Sequence, residues 1–187
     1  MSAREILVYP HPALKQIAAP AQADEAEAVG RDLVETMRSF ERCVGLAAPQ
    51  IGELVRVVAV DVRGHPKAKT DNGLLVLVNP RTVEATGSEV AREGCLSIPD
   101  LTANVRRATR IVVEDASRRV ECHGFEARCV QHEIDHLDGI LFLDRVDSLV
   151  DDVFRRQVYS AGGGPSGGSS SARDVGSSKA SPGGRMG

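Results

Sequence analysis

The spacing of apolar positions changes several times along the chain, and each change marks an expected element. Ile6-Leu7-Val8 is a short apolar run, expected as a strand over 6–8 and ended by Pro10 and Pro12. An irregular stretch, 13–23, follows. From about 25 to 40, Val29, Leu33, Met37 and Phe40 recur at helical intervals, with Asp24 as N-cap and Glu27 in capping-box spacing. After Gly45 the pattern turns to strands. Residues 54–62 and 74–78 are rich in Val and Leu, the second closed by Asn79-Pro80. Residues 82–91 read as another strand, broken at Gly87, and 105–114 pairs with 118–123 as a hairpin across Asp115-Ala116. A helix over about 125–137 ends at Gly139. An apolar segment, Leu141-Phe142-Leu143, leads to a last helix over 148–159, whose apolar stripe is modest.

Strands cluster in the middle and helices flank them, which predicts an α+β fold. In it, mixed or antiparallel strands pack around a central helix, with an N-terminal and a C-terminal helix at the margins. Residues 1–159 form one domain. Residues 160–187 hold nine of the eighteen glycines and eight serines. Such a segment buries too little apolar surface to offset its chain entropy and is expected to be a disordered tail.

Composition narrows the function. Aromatic residues are 3% with no Trp, so a surface that stacks nucleic-acid bases is not expected. A net charge of −3 argues against phosphate-backbone binding. No stretch is long and apolar enough for a membrane span, and the start lacks a basic segment leading into a long apolar run. A cytoplasmic protein is therefore expected, acting as a monomer. The four cysteines (43, 95, 122 and 129) then read as thiols or metal ligands, not as disulfides.

The sharpest chemical signal is Gln131-His132-Glu133-Ile134-Asp135-His136-Leu137-Asp138-Gly139. Residues four apart on a helix share a face, so His132 and His136 can reach one metal ion. Glu133 then stands beside the open coordination position, where it can take a proton from water. A catalytic site of this kind needs a third protein ligand. Asp144, Asp147, Asp151 and Asp152 lie downstream, as in zinc endopeptidases, but none has a decisive context. Among the cysteines, Cys95 ranks narrowly first, because Gly94 before it permits close backbone approach. Cys129 and Cys122 read more naturally as small buried residues. A zinc endopeptidase and a non-catalytic metal-binding domain both stay open at this point.

Three blocks stand together: Gly45-Leu46-Ala47-Ala48-Pro49-Gln50, Glu93-Gly94-Cys95-Leu96-Ser97, and the His132 block. In this order and at these intervals they resemble the three signature motifs of the peptide deformylases. The resemblance covers roughly residues 4–147. It implies a hydrolase that removes the formyl group from formyl-methionyl nascent peptides, releasing formate. It implies Cys95, His132 and His136 as metal ligands and Glu133 as acid/base. The Gln50 amide and the Leu96 backbone N–H would stabilise the oxyanion, while Val44 and Gly45 contact the peptide and its methionine. Fe(II) is the implied metal, with Zn(II) or Ni(II) as substitutes, and metal-activated hydroxide the implied nucleophile. The ribosome is a further expected partner, through the net positive charge of residues 160–187.

The sequence departs from the family pattern in two places. Cys43 stands where the first motif often begins with Gly, so a side chain narrows that loop. Many members carry an Arg shortly after the second motif, where Asp100-Leu101-Thr102-Ala103-Asn104 stands here. Substrate contact is then expected from Arg106 or Arg107. Glu93 is expected to orient the loop by hydrogen bonds, and Asp135 to pair with Arg106 or Arg107.

Overall fold

Strand β2 (Val57–Val60) is apolar on both faces because it has a helix on each side. Val57 and Ala59 pack with Val29, Leu33 and Met37 of helix α1 (Ala23–Ser39). Val58 and Val60 pack with Val130, Ile134 and Leu137 of helix α2 (Gly124–Leu137). Strands β1 (Gly45–Ala47) and β3 (Leu75–Val78) flank β2 in antiparallel register, with Gly45 opposite Val60 and Val57 opposite Val78. These relations come from a computed structural model that describes residues 3–156. The expected tail, 160–187, lies outside the described residues, as does the end of the last expected helix.

Two further antiparallel sheets complete the fold. One orders β4 (Arg81–Thr86), β7 (Arg110–Glu114) and β8 (Arg119–His123). The other orders β5 (Glu89–Cys95), β6 (Ile98–Arg107) and β9 (Val153–Arg155). The β7–β8 hairpin is the one expected from sequence, and Asp115 closes its turn by accepting from the Ser117 and Arg118 backbone N–H groups at 2.7 and 2.8 Å. The expected α+β architecture around a central helix is therefore present, with four local differences.

The first difference is at 82–91. Gly87, at φ +70, does not interrupt one strand but separates β4 from β5, which enter different sheets. Likewise 105–114 is divided, its first part ending β6 and its second forming β7. Second, residues 6–8 join no sheet; Leu7 N–H donates to Gln50 O at 2.8 Å and Tyr9 N–H to Ser97 O at 2.9 Å. Third, α1 starts two residues earlier than expected, at Ala23. Its N-cap is Gln22, whose backbone N–H meets Glu25, while Glu27 instead pairs with Arg31. Phe40 caps the C-terminus and is 37% exposed, so it stands outside the core stripe.

Fourth, no helix forms over the described part of 148–159. Val153–Arg155 is strand β9, with Phe154 opposite Thr102 and Val153 opposite Ala103. The β6 edge offers unpaired backbone groups, and a β-branched and an aromatic residue satisfy them better than a weak helical stripe would. Phe154 gains a second contact there, its ring lying 3.5 Å beneath the Arg92 guanidinium.

Helix α2 ends where the sequence says it should. Gly139 has φ +68, and a Cβ there would lie 2.7 Å from the Lys15 carbonyl oxygen. Eleven of the fourteen residues of α2 are buried, including Glu126, Arg128, His132, Glu133, Asp135 and His136. A buried helix this rich in ionisable groups must supply each of them with a partner, and those partners build the site.

Candidate metal centre

Cys95, His132 and His136 offer one ligand atom each, all within 4.8 Å of one another and all buried. His132 and His136 come from one face of α2. Cys95 comes from the end of β5, where a register shift between Gly94 and Cys95 leads into the tight connection to β6. Cys95 Sγ lies 3.3 Å from His136 Nε2. Burial pushes the Cys95 thiol up, but the two imidazoles outweigh it and hold the thiol well below its usual range. Burial opposes charge on His132 too, yet Cys95 and Glu93 raise its pKa well above the ordinary value. The cluster thus favours a thiolate and holds positive charge against it, which is the requirement a metal cation meets. A thiolate with two imidazoles suits Fe(II), Zn(II) or Ni(II).

The orientation of His132 is fixed from behind. Its Nδ1 lies 3.0 Å from Glu93 Oε2, so in the neutral imidazole Nδ1–H donates to the carboxylate and Nε2 is left for the metal. Glu93 also accepts from Arg107 Nε and Nη2 at 2.9 and 3.0 Å and from Arg128 Nη1 at 2.8 Å. Arg107 continues to Asp135, at 2.5 Å, which accepts also from Arg145 at 2.6 Å. Desolvation raises the Glu93 carboxyl, but the His132 and Arg107 hydrogen bonds outweigh it and hold it well below the carboxylate range. Glu93 therefore acts through hydrogen bonds, as expected, and Asp135 pairs with Arg107 as expected.

Glu133 is buried beside the ligands, and its Oε2 has no hydrogen-bond partner. Burial pushes its carboxyl up to about 7, against the lowering effect of His132 and His136. A group that titrates near neutrality is matched to taking and returning a proton. Gly45 on β1 is what lets it sit there, since a Cβ on Gly45 would lie 2.5 Å from Glu133 Oε1.

Gln50 is brought in by the 3-10 turn Ala48–Ile51 and is 2% exposed. Its Oε1 accepts from the Ala47 N–H at 2.9 Å, which aims Nε2 at Cys95 Sγ and Ser97 Oγ, both at 3.2 Å. Val44, Gly45, Gln50, Cys95, Leu96 and Glu133 all border one cavity of about 370 Å³. A larger groove of about 820 Å³, between α1 and β3, lies away from the three ligand candidates.

The other ligand candidates are accounted for elsewhere. Asp144 binds Lys15 and the Leu141 N–H, Asp147 lies 3.5 Å from Arg106, Asp151 binds Ser148, and Asp152 binds Asn104. Cys43 donates to the Gly45 carbonyl at 3.2 Å, and burial pushes its thiol up to about 12. Burial likewise raises the Cys122 thiol to about 12 and raises that of Cys129. Among the described residues only Cys95 joins the two histidines in a metal-holding group. The arginine expectation is corrected: Arg107 is buried in the Glu93–Asp135 network and Arg106 faces Asp147, so neither borders the cavity. Arg128 is a supporting residue that sequence reading missed; its signal was position, one helical turn before His132 on the same face of α2.

Known proteins similar to this chain share one description. The family model described as polypeptide deformylase matches residues 3–152. A peptide deformylase of Dictyoglomus thermophilum is 41% identical over 149 residues, covering 76% of this chain and 92% of that protein. One of Alkalilimnicola ehrlichii is 41% identical over 165 residues, covering 84% and 90%. The crystal structure of a class I type b peptide deformylase from Acinetobacter baumannii with Met-Ala-Ser bound superposes with a TM-score of 0.69 at 35% identity, covering 78% of this chain and all of that one. The peptide deformylase structure from Thermotoga maritima gives 0.69 at 34% identity, covering 79% and 100%.

Proposed function

The chain belongs to the polypeptide deformylase family and is a metal-dependent hydrolase that removes the N-terminal formyl group from formyl-methionyl peptides; we propose that Cys95, His132, His136, Glu133, Gln50 and Leu96 carry out that reaction. The observation that carries this reading is the buried Cys95–His132–His136 group with Glu133 beside it. When bound, the metal supplies a water made acidic enough to attack at neutral pH and an electrophile for the formyl oxygen. Glu133 takes the proton from the attacking water and returns it to the leaving amine nitrogen, a task suited to its carboxyl pushed up to about 7. Gln50 Nε2 and the Leu96 backbone N–H donate to the oxygen as charge develops on it, and one such donor is worth about 3 kcal/mol. Val44 and Gly45 form the wall along which the methionine side chain and the peptide backbone lie. Glu93 keeps His132 in the tautomer that ligation requires.

We assign Fe(II) as the resident metal, as the family resemblance implies; one thiolate and two imidazoles would hold Zn(II) or Ni(II) as well. We place the protein in the cytoplasm as a monomer acting on nascent peptides. The four free cysteines support a reducing compartment, and no described helix is long and apolar enough to cross a membrane. The net charge of +2 in residues 160–187 supports docking on the ribosome. Deletion of those residues is expected to weaken ribosome binding, and unchanged binding would remove that part of the proposal.

The ligand set is tested by Cys95→Ser. The variant is expected to lose both bound metal, measured by elemental analysis, and formate release from formyl-Met-Ala-Ser. Full metal content and full activity in the variant would overturn the assignment of Cys95.

A further inference from the structure

Most of the described arginines are paired with carboxylates, the buried Arg128 that borders the cavity among them, but four further cations at its mouth are not. Arg42, Lys67, Arg92 and Arg156 border it, and among the described residues none of them lies within ion-pair distance of a carboxylate. The opposing negative charge there is small. Among the described residues Glu41 is the one exposed acid bordering the cavity; of the two buried ones, Glu93 is saturated by Arg107, Arg128 and His132, and Glu133 stands beside the metal ligands.

Two of the four cations are held in place. Arg92 lies 3.5 Å over the Phe154 ring and donates to Thr102 Oγ1 at 3.2 Å and Asn104 Oδ1 at 3.3 Å. Arg156 follows β9, with its backbone N–H on Asp100 O at 2.7 Å and its Nη2 on Cys95 O at 3.3 Å. Its Nε is buried with no partner. Gly94 leaves the space it occupies, since a Cβ at Gly94 would collide with Arg156 Nη2. The Arg156 guanidinium therefore sits beside the β5–β6 turn that carries Cys95 and Leu96, and that of Arg92 lies farther along the same hairpin. An adjoining groove of about 800 Å³ shares Lys67 and Arg92 with the cavity and adds Lys69 and one exposed acid, Glu89, so cations still outnumber acids along a path for peptide beyond the methionine.

We propose that this mouth selects formyl-methionyl peptides bearing carboxylates on the residues that follow methionine, and that Arg92 and Arg156 are the side chains that read them. Unpaired, pre-positioned guanidiniums gain from an incoming carboxylate without first breaking an internal ion pair, and they repel a basic side chain. The inference rests on the formyl-peptide reading of the site.

The test uses the full-length, metal-loaded protein and three peptides, formyl-Met-Asp-Glu, formyl-Met-Ala-Ser and formyl-Met-Lys-Lys, with kcat and KM from formate release. At low salt kcat/KM for the acidic peptide is expected to exceed that for the basic one by about tenfold, mainly through KM, as two partly exposed charge pairs allow. The ratio should shrink at high salt and fall to about twofold in Arg92→Gln/Arg156→Gln. Arg119→Gln removes the same kind of charge from the distant β7–β8 hairpin and should keep the wild-type ratio. A wild-type ratio near one, or a ratio that survives in the double variant, overturns the inference while formate release stands. No formate from any of the three peptides overturns the formyl-peptide reading and the selectivity with it.

Discussion

Glu93→Gln removes one negative charge from a cluster in which three donors share it. In the protein the Glu93 carboxylate accepts from Arg107, Arg128 and His132, and all four side chains are buried. Glutamine keeps one accepting oxygen, but its amide turns N–H groups toward two guanidiniums that lose a counter-charge. Breaking a buried ion pair from one side costs about 3–5 kcal/mol. At about 2–4 °C per kcal/mol for a domain of this size, the melting temperature should fall by about 10 °C. The loss should also depend on pH. The folded-state pKa of Glu93 is strongly depressed, so its stabilisation is fully present above the unfolded carboxyl value of about 4.3 and is lost progressively as pH falls below that value toward the much lower folded one. The gap between wild type and variant should therefore be widest at pH 7 and narrower, though still open, at pH 3. Because Glu93 sets the tautomer of His132, metal affinity measured by chelator competition should drop about 10–100-fold. Calorimetry and circular dichroism across that pH range, with the competition assay, check all three. A variant that melts within about 2 °C of wild type at pH 7 and binds metal equally would refute the network as the support of the site.

Other perturbations separate the roles of neighbouring residues. Gly45→Ala puts a Cβ 2.5 Å from Glu133 Oε1 and should lower kcat by at least about 10-fold while the melting temperature changes little. Gln50→Ala should lower kcat by about 100-fold or more through the lost donor, and should cost about 1–3 kcal/mol of stability because the Ala47 N–H loses its partner. The Cys43 and Cys122 thiols, raised to about 12 by burial, should stay protonated and react slowly with iodoacetamide at pH 8. Since the unfolded thiols ionise near 8.5 and the folded ones do not, stability should decline as pH rises above that value.

How far the sequence reveals this protein depends on how local each interaction is. The His132–His136 spacing and the Gly139 stop are local, and both stand in the fold as the helical period requires. The stripe of Val29, Leu33 and Met37 is local too, whereas its extension to Phe40 runs past the last helical turn. Cys95 is different, since 41 residues separate it from His136. Physical reading ranks it only narrowly above the other thiols, and the family motif supplies the rest. Strand β9 was hidden because its partner is the free edge of β6, which no window around 148–159 can show. Arg107 shows the same limit. Its alternation with Ala103 and Val105 points it inward, but only the packed β6–α2 pair reveals that Glu93 and Asp135 await it there.

Hydrolysis of the formyl amide at the Cys95–His132–His136 centre, with Glu133 as acid/base, is decided by formate release from formyl-Met-Ala-Ser, with Fe(II)- or Ni(II)-loaded wild type and Glu133→Gln compared at equal metal content. Wild type should release one formate per peptide, and the variant should lose about 100-fold or more in kcat with the metal retained. No formate from the loaded wild type, or equal rates from the two proteins, would contradict it.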